Sequence, residues 1–299
     1  MSTTMMPPGA QTPPPPPVPP MPQPAGGPAG EPPRQTRSAS RVIAILTIAL
    51  GAAIVLGTIL TAVFSTVATA AVRTESRSVD ASGVRDLDVE VGGSSVRIEF
   101  ADVTEATLEV TSGRGASDWT LERDGDELNV SSPEDSWFDW RWSWGDDSRA
   151  TLTLPESLRG PGLDASLGLS AGDLSVDGDF GELEIEIGAG SLTVGGSART
   201  LSADLSAGDA DIDLTDVEEA QFQVSAGSVD SRLTGDAPRT VVVEVSAGGL
   251  DLTLPSGVYD VRSDVSAGEF DNGLSTEMGA RNSVDVSVSA GSVTIRSPR

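Results

Sequence analysis

The side chains that most enzymes use for catalysis are missing from this chain. It has no His and no Cys, and all 19 of its basic residues are Arg, so it also has no Lys. These absences exclude thiolate nucleophiles, disulfides, Cys-ligated zinc, Schiff-base chemistry and the usual imidazole base. The remaining chemistry is that of carboxylates, hydroxyls, guanidinium groups and aromatic rings.

Two short motifs nevertheless have the spacing of functional sites. Residues 168–172 match the G-x-S-x-G nucleophile elbow, but that motif needs a His to take the serine proton. Residues 209–213 begin like a calcium-binding loop, yet the twelfth position holds Ala220 where a Glu is required. Carboxylate pairs could hydrolyse glycosides, but 44 acids after residue 72 bring pairs together by chance. We therefore predict no catalytic residue, cofactor or metal site, and a protein that is not an enzyme.

The one local anomaly in composition is aromatic. All five Trp lie within residues 119–144. The candidate partner-binding residues are Trp137, Trp140, Arg141, Trp142 and Trp144. Clustered Trp beside Arg is typical of interface hot spots and of platforms that stack on sugars, which favours a protein or glycan partner. The alternative is a hydrophobic cap that covers one end of the domain.

The net charge of −26 is unevenly distributed. Residues 1–41 carry three Arg and one Glu, residues 42–72 carry no charge, and residues 73–299 carry 16 Arg and 44 acids, which gives −28. Such an acidic domain is repelled by phosphates, so nucleic acid is excluded as a partner. Fourteen of the 20 Pro lie in residues 7–33. This composition predicts that residues 1–41 form a disordered, Pro-rich tail.

An apolar run separates the tail from the acidic domain. Residues 42–64 contain 23 uncharged residues, enough at about 1.5 Å each to cross a ~30 Å hydrocarbon core. We predict a transmembrane helix and a juxtamembrane segment at 42–72. The Arg bias of the preceding flank predicts a cytoplasmic tail and an extracytoplasmic domain at 73–299, held at the cell membrane by a single-pass anchor. A signal peptide cleaved after Ala70 is the alternative.

The domain at 73–299 has the alternation of β-strands and an internal repeat. Ser-Ala-Gly recurs from residue 166 to 296, with Gly188-Ala189-Gly190 as a variant, and successive repeats are about 20 residues apart. The last Gly of each copy is Gly172, Gly190, Gly208, Gly227, Gly248, Gly268 or Gly291. Positions three before and two after this Gly are always apolar, and positions one and three after it are never large and apolar.

This register predicts an all-β fold of the β-solenoid type, similar to a parallel β-helix, in which each repeat buries its apolar face by stacking on its neighbours. The period-two alternation slips across the Gly, so a corner lies there, and the Ala one before it is predicted to point inward. Antiparallel hairpins turning at each Ala-Gly are the alternative.

The Ser-Ala-Gly repeats, the segment Arg123-Asp124-Gly125-Asp126-Glu127-Leu128 and the strand end 151–155 resemble a known bacterial family over about residues 84–296. It is the β-strand-repeat domain of unknown function that carries an adhesin label and is related to the Toastrack domain of envelope-stress proteins. The resemblance implies a membrane-linked surface domain with a solenoid-like β fold, and it implies no catalytic residues.

Together these features predict a membrane-anchored, non-catalytic protein of the cell surface that acts as an adhesin-like interaction module or an envelope sensor. Two other functions stay open. A polysaccharide-acting enzyme would need a groove lined by acids. A purely structural spacer of the cell envelope would need even its Trp side chains to be buried.

Overall fold

The computed structural model describes residues 73–112, 118–133 and 148–298. The predicted Pro-rich tail, the predicted membrane helix and the predicted partner-binding residues lie outside these ranges. No helix within the described ranges is long and apolar enough to span a membrane.

Most of the described residues lie in β-strands, and a 3-10 helix spans Glu156–Leu158. The strands are β1 (Arg73–Asp80), β2 (Asp86–Val91), β3 (Ser94–Ala101), β4 (Glu105–Ser112), β5 (Thr120–Asp124), β6 (Glu127–Ser131), β7 (Arg149–Pro155), β8 (Asp164–Leu169), β9 (Gly172–Ile187), β10 (Ser191–Leu205), β11 (Asp209–Thr215), β12 (Glu219–Val224), β13 (Ser228–Thr234), β14 (Thr240–Thr253), β15 (Val258–Gly273), β16 (Ser275–Thr276) and β17 (Asn282–Arg296).

The chain winds as a solenoid with two sheets, which we call face A and face B. Each coil runs through face A, turns a corner and returns through face B. We number the coils along the chain: coil 1 (β2, β3), coil 2 (β6, β7), coil 3 (β8, start of β9), coil 4 (end of β9, start of β10), coil 5 (end of β10, β11), coil 6 (β12, β13), coil 7 (β14), coil 8 (β15) and coil 9 (β17). Adjacent coils pair in parallel, so stacking is confirmed and the hairpin alternative is wrong for the repeats.

The core lies between the two faces and follows the predicted register. On β11 the alternation is complete, because Ala210, Ile212 and Leu214 are buried while the three intervening Asp are exposed. Stacking places equivalent residues of neighbouring coils side by side, as with Leu192 beside Ala210. The apolar positions therefore form continuous ladders, and a single coil could not bury them alone.

The order of the coils in space departs from their order along the chain at both ends of the stack. Coil 1 lies between coils 2 and 3, because β2 pairs with both β6 and β8. Coil 9 lies between coils 7 and 8, because β17 pairs with both β14 and β15. The stacking order is therefore 2-1-3-4-5-6-7-9-8, and the chain's last coil is an interior one.

The two ends of the stack are finished differently. At coil 2, antiparallel strands add to the sheets: β5 on β6, β4 on β7, and β1 on β4. The buried side chain of Trp119 packs into the core beside β5. Coil 8 forms the other end and carries polar residues, Ser263 and Asn272, at two inward positions. This explains why coil 8 and not coil 9 is outermost: its inner side tolerates water.

Candidate interaction surface at the solenoid corner

In coils 3 to 9 the corner between face A and face B requires glycine for a steric reason. Gly208 has φ of 108°, and a Cβ added there would collide with the carbonyl oxygen of Gly190 in the coil beneath. The same collision recurs up the stack, with Gly227 over Gly208 and Gly291 over Gly248. The corner backbones therefore stack in direct contact, which only glycine allows.

One part of the corner prediction is wrong. The Ala that precedes the corner Gly is exposed in six of the seven repeats and half-buried in the other, at Ala171. Ser and Ala together form the outside of the bend, and the inward alternation restarts only after the Gly. Period-two alternation holds along a strand but does not continue through a bend, so it could not give the direction of the Ala side chain.

Coil 1 has a corner of the same kind that the repeat search missed. Gly92, Gly93 and Ser94 occupy the positions of Ser170, Ala171 and Gly172 of coil 3, the partner of Ser94 being Gly172. The N–H of Gly93 donates to the carbonyl of Ala171 at 2.9 Å. In the sequence this corner corresponds to an apolar residue followed by Gly-Gly-Ser, just before an alternating strand. It does not contain the Ser-Ala-Gly motif of the later repeats.

Coil 2 departs from the pattern by a long insertion at this corner. By register with coil 1, Pro133 aligns with Gly92 and Ser148 with Ser94. Residues 134–147 therefore stand where other coils have a single residue. Both flanks are fixed: the Ser132 hydroxyl accepts from the N–H of Gly92 at 2.6 Å, and the Ser148 carbonyl accepts from the N–H of Ser95 at 3.0 Å.

The predicted partner-binding residues all belong to this insertion. Trp137, Trp140, Arg141, Trp142 and Trp144 lie outside the described residues, so the structure does not bring them together or separate them. The fifth Trp of the chain, Trp119, is a core residue.

A groove of about 800 Å³ runs along the outside of the corner, beside the insertion point. Its floor consists partly of positions without side chains, at Gly92, Gly168 and Gly188. In the other repeats Ser replaces Gly188, and a larger side chain replaces Gly168 in most coils. Ser132 and Pro133, where the chain departs into the insertion, form one end of the groove. We call this depression the corner groove.

Carboxylates set the charge of the corner groove. Glu90, Glu186 and Asp204 line it. The outer side of face A continues the same sign, since Asp86 lies directly beside both Glu127 and Asp164 in register. Like charges side by side on neighbouring strands repel one another. The surface therefore favours hydrogen-bond donors and cations over anions.

The other motifs singled out in the sequence have ordinary structural places. Ser170 of the elbow-like motif is an exposed corner residue whose N–H donates to the carbonyl of Val91 at 2.7 Å. Asp209, Asp211 and Asp213 lie on the outer side of face B. Across the described ranges, no three potential metal ligands are grouped closely enough to hold an ion.

Among the residues that the structure describes, two groups have a shifted pKa, and both make hydrogen bonds within the scaffold. The N–H of Ser82 donates to Asp80 at 2.9 Å; this bond, a second from the Ser82 hydroxyl and the nearby Arg123 lower the pKa of Asp80. Burial raises the pKa of Tyr259 to about 12, and its hydroxyl donates to the carbonyl of Pro255 at 2.7 Å.

The chain is similar to several solved structures. A crystal structure of a putative cell adhesion protein from Clostridium sporogenes is 14% identical, covers 76% of this chain and all of its own, and gives a TM-score of 0.34. A putative adhesin from Bacteroides fragilis is 13% identical over 75% of this chain and 97% of its own, with a TM-score of 0.43. A putative lipid binding protein from Parabacteroides distasonis is 13% identical, with 76% and 97% covered and a TM-score of 0.32.

No curated protein sequence matches the chain. The model of the Toastrack DUF4097 family matches residues 84–298, which spans coils 1 to 9 and more than two thirds of the chain. The predicted resemblance is thereby confirmed, and the chain belongs to the Toastrack DUF4097 family.

Proposed function

We propose that this protein is a non-catalytic interaction module of the cell surface, adhesin-like or envelope-sensing, and that the solenoid carries its recognition residues at one corner. The observation behind this proposal is the insertion at coil 2. Between Pro133 and Ser148 the chain has fourteen residues with four Trp, where neighbouring coils have one residue, and Ser132 and Pro133 line the corner groove.

The chemistry of the surface suggests what it would hold. Trp faces stack on sugars and on aromatic or cationic side chains, and carboxylates accept hydrogen bonds from hydroxyl, ammonium and guanidinium groups. We propose a glycan or protein partner that is rich in hydrogen-bond donors and not strongly anionic. The absence of His, Cys and Lys from the whole chain supports binding without catalysis.

The test compares cells that display the full chain with cells that display the variant Trp140→Ser/Trp142→Ser/Trp144→Ser. Attachment to purified cell-wall polysaccharide and to protein-coated surfaces is measured with the unfolding midpoint of each purified protein. We expect attachment to be lost while the midpoint stays close to that of the parent. Met278→Ser is the matched control, because Met278 is 96% exposed and lies in the connection that follows coil 8.

Each other result identifies a different function. Retained attachment with a midpoint lowered by many degrees would show that the Trp residues form a cap. Attachment by neither parent nor variant, with a lowered midpoint in the variant, would favour a spacer whose Trp side chains are buried. Release of reducing ends from the polysaccharide by the parent would show an enzyme.

We also propose the single-pass topology, with residues 73–299 outside the cell membrane. Protease added to intact cells should remove the β domain and leave a small membrane-held fragment. Full protection of the domain would reverse the orientation. A soluble form that begins near Ala71 would show cleavage of a signal peptide.

A further inference from the structure

The last two coils of the chain fit the same place on coil 7. Coil 9 stacks on coil 7 with Val245 beside Val288 and Gly248 beside Gly291. Coil 8 stacks on coil 9 in the identical register, with Val265 beside Val288 and Gly268 beside Gly291. Coils 8 and 9 therefore present matching corners and matching strands, and either one is geometrically able to sit directly on coil 7.

Connectivity favours coil 8 for that place. Only four residues, 254–257, join β14 to β15, whereas β17 begins 29 residues after β14 ends. A short loop costs less entropy to close, and contacts between near neighbours in sequence form more readily. Coil 8 is also synthesised first. On connectivity alone, coil 8 would occupy the surface that coil 9 holds in the structure.

Composition favours coil 9. Its inward side chains Val286 and Ile295 are buried, and the positions in register with them on coil 8 are Ser263 and Asn272. The order 7-8-9 would enclose the hydroxyl and the amide and expose the two apolar side chains. Burying polar groups without partners is unfavourable and burying aliphatic groups is favourable, so the observed order 7-9-8 has the lower free energy.

We propose that the C-terminal end of the solenoid is a two-state latch in which coils 8 and 9 compete for coil 7. Coil 9 occupies this surface in the structure, and coil 8 occupies it when the contact between coils 9 and 7 is weakened. In the alternative order the apolar side of coil 9 becomes the end of the stack. The latch therefore replaces an end coil that has two polar inward positions, Ser263 and Asn272, with one whose inward positions in register are all apolar and able to associate with another copy.

Engineered Cys pairs test the order directly, because the full chain has no Cys of its own. Glu244 and Ser287 are register neighbours on the outer side of face A, and so are Ser287 and Asp264. Neighbouring strands are about 4.8 Å apart, within disulfide range, and strands two apart are about 9.6 Å apart, beyond it. Glu244→Cys/Ser287→Cys therefore reports the order 7-9-8, and Glu244→Cys/Asp264→Cys reports the order 7-8-9.

Both pairs are placed in the full chain and in a variant that exchanges the polar positions, Ser263→Val/Asn272→Ile/Val286→Ser/Ile295→Asn. The exchange keeps the number of apolar inward residues, so the domain retains a core, and circular dichroism confirms that it folds. We expect the 244–264 disulfide to form several-fold more in the exchanged chain and the 244–287 disulfide to fall by a similar factor.

The control pair is Glu244→Cys/Arg262→Cys, which closes a shorter loop and is out of register by two residues in the alternative order. If the 244–264 pair crosslinks no more than this control, coil 8 has only detached, and the latch is refuted. Unchanged crosslinking of 244–287 in the folded exchanged chain would equally refute it. If circular dichroism shows that the exchanged chain has lost its β structure, the comparison is repeated with Val286→Ser alone. We expect this variant to form more of the 244–264 disulfide and less of the 244–287 disulfide than the parent, by a smaller factor than in the exchanged chain.

Discussion

Equivalent valines of coils 8 and 9 should respond very differently to the same charge. Val265 and Val288 both stand three residues before a corner Gly and are register neighbours. Val288 is 1% exposed and Val265 is 40% exposed. Comparing Val265→Asp with Val288→Asp therefore measures how the position of a coil in the stack affects stability, because the two residues have the same place in the repeat.

The magnitudes follow from burial. Full burial of a Val side chain contributes about 1.5–3 kcal/mol to the free energy of unfolding. Because Val265 is only partly buried, its replacement should lower this free energy by about 1–2 kcal/mol. An Asp at Val265 keeps contact with water and adds little to this. At Val288 the whole apolar contribution is lost and an unpaired carboxylate is enclosed, which raises the total to roughly 4 kcal/mol or more. For a domain of this size, we expect the unfolding midpoint to fall by about 2–8 °C for Val265→Asp and by about 8–16 °C or more for Val288→Asp.

The assay is thermal and urea unfolding followed by circular dichroism. Ser289→Asp places the same charge at an exposed position of the same strand and should be nearly neutral. Ser287 is not used for this control, because Glu244 and Asp264 are its register neighbours and would repel an added carboxylate. If Val265→Asp destabilises as much as Val288→Asp, or more, coil 8 is an interior coil. The stacking order described above, and the explanation from Ser263 and Asn272, would then be wrong.

Three further predictions concern a buried hydroxyl, a corner glycine and the buried Tyr, and the second has a control substitution. The hydroxyl of Ser231 is buried without a hydrogen-bond partner, so Ser231→Ala should raise the free energy of unfolding by about 1 kcal/mol in urea titrations. Gly208→Ala should lower it by about 2 kcal/mol or more through backbone strain and collision, while Gly162→Ala, whose added methyl meets no atom within 4 Å, should be nearly neutral. Tyr259 is the only Tyr of the chain, and burial raises its pKa to about 12. Its contribution to the free energy of unfolding is therefore fully present below about pH 10 and is lost as the pH rises towards 12. Phenolate absorbance and unfolding midpoints should both show this loss, and Tyr259→Phe should abolish it.

The repeat register could be predicted because it follows from local rules. Inward residues at fixed offsets from the corner Gly, such as Val245 three before Gly248, are buried as expected. The corner itself was visible in the slip of alternation. What alternation could not supply was the direction of side chains within the bend, and the Ala before the Gly is exposed for that reason.

The order of the coils could not be read from the pattern, because every coil carries nearly the same pattern. Two residues, Ser231 and Asn272, break the pattern by placing a polar side chain four residues after the corner Gly. Asn272 is exposed and marks an end coil, whereas Ser231 is buried between Ile212 and Leu252 in an interior one. A polar residue at an inward position is compatible with both outcomes, and only the stack distinguishes them. The corner of coil 1 was missed because Ser94 replaces the expected glycine.

The position of the insertion also has a physical reason. An insertion within a strand of this stack would break the ladders to the coils on both sides. At the corner it leaves both ladders intact, as the hydrogen bonds from Gly92 to Ser132 and from Ser95 to Ser148 demonstrate. The cost is then mainly loop closure, which rises by only about 0.6 kcal/mol for each doubling of length. A solenoid with a uniform, acidic surface can therefore acquire a partner-specific segment at a corner with little loss of stability, and for this reason we expect recognition to depend on coil 2 and not on the repeated face.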